Sequence, residues 1–296
     1  MKVSVVVPTY NRPEMLYRTL YSLQRQNDTN YEVLVSIDDD SDVCDESIKI
    51  VDKFISEKMP VQYFSTGKYK RGEGWSVETY PYNVGIRHAT GDMVILNSGD
   101  VMSVTNNIAE HRQKHLENQN SVIVATVHAV TVDVQNKMDT YDWKNNPSSL
   151  LFKGSTYKMF SGQGPSFTMS YDYEEAHNPY HFQMSLLKKS LWDIGGFDED
   201  YYGQMTCGDC DIADRLKRLG LNFVYMADIL AIHQYHKAPE YITNKRTAIP
   251  NPKVESGHTL FHQLRCNQPI IRNANHEWGQ YPRDMENLPD MSGYKE

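Results

Sequence analysis

Cysteine is scarce in this chain, and long apolar runs are absent. Four cysteines occur among 296 residues, at positions too scattered for the disulfide framework of a secreted protein. We therefore expect a reducing, cytoplasmic compartment. No stretch approaches the ~20 apolar residues of a membrane-spanning helix, and the apolar run at residues 3–7 is too short for a signal peptide. No transmembrane segment is expected, and peripheral association with a membrane stays open.

Positive charge is also in short supply. The 30 Lys and Arg residues are outnumbered by 38 Asp and Glu residues, which gives a formal net charge of -8. This balance argues against a nucleic-acid partner, because such a protein presents a basic face to the phosphates. The composition is otherwise that of a globular protein, with 40% hydrophobic and 23% charged residues. The length fits one large α/β domain or two small ones.

Strand and helix patterns alternate over residues 1–100. Apolar or β-branched runs typical of buried strands cover residues 3–7, 31–37, 61–64 and 93–96, and helical spacing of apolar residues covers 12–26, 42–57 and 75–90. This alternation predicts βαβ units, with a parallel sheet between two layers of helices.

Three of these strands end in polar clusters, namely Pro8-Thr9-Tyr10, Asp38-Asp39-Asp40 and Asn97-Ser98-Gly99-Asp100. Ligands of such sheets bind outside the carboxyl ends of the strands, so the three clusters predict one shared crevice. Any one cluster alone is equally well explained by polar residues that end a strand or cap the next helix.

The second half has a different pattern. Residues 121–134, 180–187 and 221–226 have strand character, residues 209–219 have helical spacing followed by Gly220 as a C-cap, and residues 135–179 show no clear period. A segment like 135–179 is usually either a functional lid or poorly ordered. Residues 237–296 are polar and rich in proline, and they predict an extended C-terminal segment.

Four segments resemble motifs of one enzyme family. They are VSVVVPTYNRPEMLYRTLYSLQRQ with YEVLVSIDDDSD, then YNVGIRHATGDMVILNSGD, then GGFDEDYYG with CGDCDIADRLKRLG, and finally His233-Gln234-Tyr235-His236. Together, and in this order, they resemble family-2 glycosyltransferases of the GT-A fold, with a galactosyltransferase-like acceptor segment.

The resemblance implies an α/β fold with a Rossmann-like nucleotide-binding half, a mixed and mainly parallel sheet, and a smaller acceptor-binding half. The expected domain covers residues 1–236, divided into a donor half (1–103) and an acceptor half (104–236). Residues 237–296 are expected to be an extension that packs on this domain.

The implied activity is inverting transfer of a hexose from a nucleotide sugar, expected to be a UDP-sugar, to a hydroxyl group of a glycan or glycoconjugate. Galactose or N-acetylgalactosamine is favoured over glucose. Thr9 and Asp39 suit a uracil base, which needs a hydrogen-bond acceptor for its ring N–H. The donor site that the resemblance implies consists of Pro8, Thr9, Tyr10, Arg12, Asp38, Asp39, Asn83, Asn97 and Ser98.

A divalent ion, Mn²⁺ or Mg²⁺, is the usual counter-charge for a departing diphosphate. The family's Asp-x-Asp-Asp motif is degenerate here, because Asn97-Ser98-Gly99-Asp100 keeps one carboxylate. The resemblance therefore assigns the metal to Asp100 with His233 or His236, and imidazole suits Mn²⁺. The alternative for the two histidines is a hydrogen-bonded surface pair.

Inverting transfer needs a general base for the acceptor hydroxyl. Asp209 matches the Asp of the family's Glu-Asp pair, whose Glu is replaced by Gly208. The resemblance makes Asp209 the base and Asp211 the residue that positions the acceptor. The alternative is that both carboxylates stabilise the start of a helix.

Several alternatives stay open. The replacements Gly99 and Gly208 are compatible with a catalytically impaired nucleotide-sugar-binding protein of the same fold. A nucleotidyltransferase is disfavoured, because residues 8–12 contain no glycine for a triphosphate loop. The pair Cys207 and Cys210 is interpreted as incidental, and the basic residues Lys68, Lys70, Arg71 and Lys237 either contact phosphate or are solvated. The oligomeric state is undetermined.

Overall fold

The computed structural model describes residues 1–39, 41–66, 79–152, 154–158, 182–199, 208–236, 268–275 and 277–281. The strands are β1 (Val3–Thr9), β2 (Tyr31–Ile37), β3 (Val61–Ser65), β4 (Met93–Asn97), β5 (Val101–Ser103), β6 (Ser121–Val130), β7 (Thr156–Lys158), β8 (Gln183–Leu187) and β9 (Asn222–His233). The helices are α1 (Pro13–Gln24), α2 (Ser41–Ser56), α3 (Thr79–His88), α4 (Asn107–Glu117), α5 (Val132–Asn136), α6 (Lys188–Asp193) and α7 (Gly208–Arg218). Within these ranges, no helix is long and apolar enough to cross a membrane.

All the strands belong to one mixed sheet. Its order is β3-β2-β1-β4-β8-β6-β9-β5, and β7 pairs with β6 outside this path. The first four strands are parallel, whereas β8 is antiparallel to both of its neighbours, β4 and β6. The expected parallel β-sheet of the first hundred residues is therefore present, and the antiparallel strand β8 joins it to the second half of the chain.

Alternating side chains of the parallel strands belong to two hydrophobic clusters, one on each face of the sheet. Val6 and Leu96 belong to a cluster that includes residues of α3, α6 and α7, while Val5, Val7 and Ile95 belong to a second cluster with α1 and α2. Successive residues of a strand point to opposite faces, so near-continuous apolar runs are needed when both faces are covered.

The second half departs from the sequence-based boundaries. The strand predicted over residues 121–134 ends at Val130, because the Thr131 hydroxyl accepts a hydrogen bond from Val134 N and caps α5. The strand predicted over 221–226 continues to His233, and Gly220 has the predicted C-cap geometry with φ of 92°. Sequence periodicity missed β5, α4 and α6, which have 3, 11 and 6 residues.

The aperiodic segment 135–179 is partly described. Two 3₁₀ helices, Met138–Thr140 and Pro147–Leu150, follow α5. Met138, Trp143 and Leu150 are buried in a hydrophobic cluster, so this portion packs on the domain. Residues 159–181 lie outside the described part, and a donor-ordered lid there stays a prediction.

The C-terminal residues 268–275 and 277–281 contact the domain. Arg272 N donates to Ile194 O at 3.0 Å, and Asn273 Nδ2 donates to Gly195 O and Phe197 O, each at 2.7 Å. Trp278 lies 4.8 Å from Trp192, measured between ring centroids. The boundary at residue 236 and the rest of the extension stay predictions.

Two buried histidines of α4 face strand β8. His111 and His115 are fully buried, and Ser185 Oγ lies 2.8 Å from His111 Nδ1 and 2.8 Å from His115 Nε2. Burial, followed by the proximity of His115, lowers the pKa of His111 to about 3. Burial also lowers the pKa of His115 to about 4. Both rings are therefore neutral at physiological pH.

This pair predicts acid sensitivity. Its stabilising effect is complete above the unfolded-state pKa of 6.5 and is lost as the pH falls towards the folded values. Between pH 6.5 and 5 the free energy of unfolding should fall by about 1.4 kcal/mol per pH unit for each histidine. We expect His115→Asn to reduce the pH dependence of the free energy of unfolding by about 1.4 kcal/mol per pH unit. Urea unfolding between pH 6.5 and 5 measures this dependence. An unchanged slope in His115→Asn would contradict the assignment.

Candidate functional site

The three polar clusters meet at the carboxyl ends of β1, β2 and β4. Asp38 N donates to Thr9 O at 3.0 Å, which joins the ends of β2 and β1. Gly99 packs against the end of β1 so closely that an added Cβ would lie 2.5 Å from Pro8 O and 3.0 Å from Thr9 Cβ. The convergence predicted from the strand ends is therefore present.

The donor-side carboxylates are tied to the turns around them. Asp39 is almost fully buried and accepts hydrogen bonds from Asn11 N, at 2.5 Å, and from the Ser47 hydroxyl. Asp38 accepts from Thr66 Oγ1 at 3.2 Å. Asp39 thus holds the β1–α1 turn, where Asn11 has a φ of 50°. A contact between Asp39 and uracil stays a prediction.

Thr9 differs from its neighbours. It is 6% exposed, and its Oγ1 has no hydrogen-bond partner among the described residues. A buried hydroxyl without a partner costs free energy, so this atom is suited to a bond with a ligand. Pro8 is buried in β1, and Tyr10 is half-buried directly after it.

Asn97 and Ser98 occupy the end of β4. Asn97 is fully buried, donates to Ser98 O and Val101 O at 2.8 and 3.1 Å, and accepts from Gln183 Nε2 at 2.7 Å. Its amide therefore shapes the turn that carries Asp100. Ser98 is half-buried, with its Oγ 3.5 Å from Tyr82 OH. Their donor-binding roles stay predictions, and a direct Asn97 contact would require breaking these bonds.

Asn83 is also engaged within the protein. Its Nδ2 donates to Phe197 O at 2.8 Å and to Glu199 Oε1 at 2.9 Å, and its Oδ1 accepts from Phe197 N at 2.8 Å. The position explains Gly196, which has a φ of 68° and whose added Cβ would lie 2.5 Å from Asn83 Oδ1. Asn83 thus holds the Gly-Gly-Phe-Asp-Glu segment (residues 195–199) in place through these three hydrogen bonds. Its assignment to the donor site stays a prediction.

The sheet brings Asp100 and the two late histidines together. Strand β5 pairs with β9 so that Val101 lies opposite His233, and Gln234 N donates to Asp100 O at 3.0 Å. Thr19 Oγ1 fixes the preceding residue by donating to Gly99 O at 2.9 Å. Residues that are far apart in the sequence are thereby held next to one another.

Asp100 is the centre of this cluster. His233 Nε2 lies 3.6 Å from its Oδ1, and His236 Nε2 lies 3.2 Å from its Oδ2. Arg12 Nη1 lies 2.7 Å from the same Oδ2. Burial by itself raises the pKa of Asp100, but His233, His236 and Arg12 outweigh burial and hold that pKa well below its usual range. Asp100 is therefore ionised.

The cluster suits a divalent ion. One ligand atom each from Asp100, His233 and His236 can be chosen so that all lie within 4.8 Å of one another. Asp100 Oδ1 is buried and has no hydrogen-bond partner among the described residues, which leaves it a lone pair for a cation. One carboxylate and two imidazoles form a mixed oxygen and nitrogen donor set for a divalent ion, in which the carboxylate is the ligand type typical of Mg²⁺ and Mn²⁺ and the imidazoles are typical of Fe²⁺, Ni²⁺ and Zn²⁺. The geometry admits both histidines rather than selecting one.

Gly99 leaves no room for the carboxylate that the family motif carries at this position, one of the two that this chain lacks. A side chain at this position would meet Pro8 O, a backbone atom that cannot turn aside. The close packing of the β4 turn on the end of β1 therefore accounts for glycine at position 99, while the first carboxylate of the motif is replaced by the buried amide of Asn97.

The two acceptor-side aspartates have different environments. Asp209 is half-buried in the first turn of α7. Asp211 is 2% exposed and pairs with the fully buried Arg215, whose Nε donates to Asp211 Oδ2 at 2.7 Å. Arg272 Nη2 lies 3.6 Å from Asp211 Oδ1. The catalytic role of Asp209 and the acceptor-positioning role of Asp211 stay predictions.

Several residues were missed by sequence reasoning or lie outside the described part. Thr66, Ser47 and Gln234 support the site. Thr66 carried a signal because it follows a predicted strand, and Gln234 because it lies between the two histidines of the last motif, whereas Ser47 carried none. Outside the described residues lie Asp40, Lys68, Lys70, Arg71, Cys207 and Lys237, together with the side chain of Cys210.

The sequence profile described as "Glycosyl transferase family 2" matches residues 4–195. The chain therefore belongs to this family, as the sequence motifs predicted. YfnE of Bacillus subtilis (strain 168), an uncharacterised glycosyltransferase, is 27% identical over 269 residues, which cover 80% of this chain and 65% of YfnE. The GalNAc(5)-diNAcBac-PP-undecaprenol beta-1,3-glucosyltransferase of Campylobacter jejuni is 27% identical over 206 residues, 68% of this chain and 56% of that enzyme. The chain thus spans less than two thirds of the length of both relatives.

Solved structures share the fold. Staphylococcus aureus TarS 1-349 in complex with UDP-GlcNAc has a TM-score of 0.54 at 19% identity, covering 81% of this chain and 60% of that one. The mannosyltransferase PcManGT from Pyrobaculum calidifontis, in complex with GDP-Man and Mn²⁺, has a TM-score of 0.58 at 14% identity, covering 90% and 65%. The predicted α/β GT-A fold is confirmed.

Proposed function

We propose that this protein transfers a hexose from a UDP-sugar to a hydroxyl group of a glycan or glycoconjugate, with inversion at the anomeric carbon. The observation that carries the proposal is the Asp100–His233–His236 cluster at the strand ends, together with the Thr9 hydroxyl, which has no hydrogen-bond partner among the described residues. In open α/β sheets this edge is where ligands bind. Membership of glycosyl transferase family 2 supports the reaction class.

Each group has a distinct part in this proposal. Asp100, His233 and His236 hold a divalent ion, which supplies Lewis-acid stabilisation of the leaving diphosphate. Thr9 and the carboxylates after β2 bind the nucleotide. Asp209 removes the proton of the acceptor hydroxyl as that oxygen attacks the anomeric carbon. Attack opposite the departing diphosphate inverts the configuration at that carbon.

The similar proteins support a nucleotide-sugar donor but differ in its details. TarS is complexed with UDP-GlcNAc, and PcManGT with GDP-Man and Mn²⁺. The Campylobacter jejuni relative is named as a glucosyltransferase. Galactose or N-acetylgalactosamine as the sugar, and uridine as the base, rest on the motifs of this chain.

Calorimetric titration tests the nucleotide and the metal together. We expect UDP to bind more tightly than GDP and Mn²⁺ to strengthen UDP binding. Asp100→Ala should lose at least about 100-fold in Mn²⁺ affinity, because loss of even an outer partner of a metal ligand costs 10–100-fold. Asp92→Ala, at the exposed opposite end of β4, is the matched control. Tighter GDP binding, or equal UDP binding in EDTA, would contradict the respective part of the proposal.

A catalytically impaired nucleotide-sugar-binding protein is the second candidate. The observation that favours it is the loss of two of the motif's three carboxylates, at Asn97 and Gly99. Slow hydrolysis of the donor without acceptor separates the two, because a scaffold without turnover releases no free sugar.

A further inference from the structure

Arg12 occupies an unusual position at the candidate metal cluster. It is the N-cap residue of α1, at the end of the turn between β1 and α1, and its side chain is 27% exposed. Its guanidinium lies 2.7 Å from Asp100 Oδ2, the same oxygen that His236 Nε2 approaches to 3.2 Å. A permanent cation is thus paired with the carboxylate that a divalent ion would need.

We propose that Arg12 is a competing counter-ion that keeps the cluster's affinity for a divalent cation low until a diphosphate group draws the guanidinium away from Asp100. The inference rests on the proposed function, because the diphosphate of a nucleotide sugar is the anion that Arg12 would meet. Arginine suits this exchange, since its planar guanidinium binds carboxylate and phosphate oxygens in the same bidentate way.

The cluster has one carboxylate to share. Asn97 and Gly99 carry no carboxylate, and a side chain at Gly99 would meet Pro8 O. Among the described residues of the cluster, Arg12 and a metal ion therefore depend on the same Asp100 charge. An adjacent arginine changes the affinity of a carboxylate for a proton by about 10- to 1,000-fold. A divalent cation meets the same repulsion, so Arg12 should weaken metal binding by about tenfold or more.

The diphosphate changes this balance. Its oxygens offer new negative charge to both Arg12 and the ion, so the guanidinium and the metal no longer compete for Asp100 alone. The expected consequence is ordered loading, in which Mn²⁺ binds weakly to the free protein and strongly in the presence of nucleotide. In EDTA, Arg12 remains as a cation for the diphosphate.

Electron paramagnetic resonance of free Mn²⁺, measured without nucleotide, tests the competition directly. We expect Arg12→Gln to bind Mn²⁺ about tenfold more tightly than the parent protein. In EDTA, the same variant should bind UDP about tenfold more weakly by calorimetry. Arg12→Lys keeps the charge and should remain near the parent in Mn²⁺ affinity. Arg25→Gln, at the exposed other end of α1, is the matched control and should change neither value.

The two measurements separate the possible failures. Unchanged or weaker Mn²⁺ binding in Arg12→Gln overturns the proposal, since a residue that only positions Asp100 would weaken metal binding when removed. Tighter Mn²⁺ binding with unchanged UDP affinity in EDTA also overturns it, because the diphosphate would then not draw Arg12. Failure of the parent protein to bind any nucleotide with Mn²⁺ present would instead contradict the proposed function. Thermal melting of Arg12→Lys and Arg12→Gln verifies that both are folded.

Discussion

Asp209→Asn is expected to slow sugar transfer by about 10²–10⁴-fold, the usual contribution of a general base, and to leave UDP affinity unchanged. Asp209 lies in the first turn of α7, half-buried. The helix is anchored beneath it by Ile212 and Leu216, which are fully buried. A base on an anchored helix can be held within hydrogen-bond reach of an acceptor hydroxyl. In the proposed mechanism the nucleotide binds at the strand ends instead, so its affinity should not change.

The measurement combines turnover with donor binding. Initial rates with a saturating acceptor give the turnover number, and calorimetry with UDP and Mn²⁺ gives the donor affinity. Asp214→Asn is the matched control, because Asp214 lies on the same helix in a partly exposed pair with Arg218 at 3.5 Å. Near-parental turnover of Asp209→Asn with intact UDP binding would assign the base elsewhere. The next candidates are Asp211 and Asp198, the latter a buried residue of the Gly-Gly-Phe-Asp-Glu segment whose Oδ2 lies 3.0 Å from Arg272 Nε.

Asp211→Asn is expected to destabilise the fold by about 3–5 kcal/mol, the usual cost of removing one partner from a buried ion pair. The motif comparison gives Asp211 a role in acceptor binding, so the sequence predicts an effect on the acceptor Michaelis constant. The structure adds a folding role. Arg215 is fully buried and also donates to Ile194 O and Gly196 O at 3.0 and 2.8 Å. Neutralising Asp211 would leave the Arg215 charge without its closest counter-ion.

Thermal melting distinguishes the two expectations. The loss of stability should lower the melting temperature by roughly 10 °C. Asp214→Asn is again the control and should change stability by less than about 0.5 kcal/mol, as expected for a partly exposed pair. A parental melting temperature together with a raised acceptor Michaelis constant would support the sequence-based role alone.

The parallel part of the fold was predictable because its signals are local. The parallel strands, such as the one at residues 31–37, were predicted from continuous apolar runs, which strands buried on both faces need. The neighbouring helices were predicted from the helical spacing of their apolar residues. Short elements were not predictable. Strand β5 has three residues and α6 has six, too few for a period to be visible. The end of β6 at Val130 depended on the Thr131 cap, which interrupts an otherwise continuous run of strand-forming residues.

The candidate site was only partly predictable for a different reason. Residue types at strand ends indicated Thr9, Asp38, Asp39 and Asp100. One polar cluster at a strand end is common, but three at the same edge of a sheet indicate a shared binding site. Their partners could not be inferred in this way. The bond from Ser47 to Asp39 and the pairing of Arg12 with Asp100 depend on how helices lie against the sheet, which no local pattern encodes.

The sequence by itself determined the family, the α/β class and the identity of the chemical groups, because these follow from motif order and from periodicity along the chain. The tertiary structure decided which of those groups act together. The β5–β9 pairing places His233 and His236 beside Asp100, while the packing of Gly99 on the end of β1 leaves no room for a side chain at that position of the motif. Asp211 and Arg215 are one helical turn apart, so their pairing is local, but its burial depends on the packing of Arg215 against Ile194 O and Gly196 O. These distances and this burial arise from contacts between residues remote in sequence, so they exist only once the chain has folded.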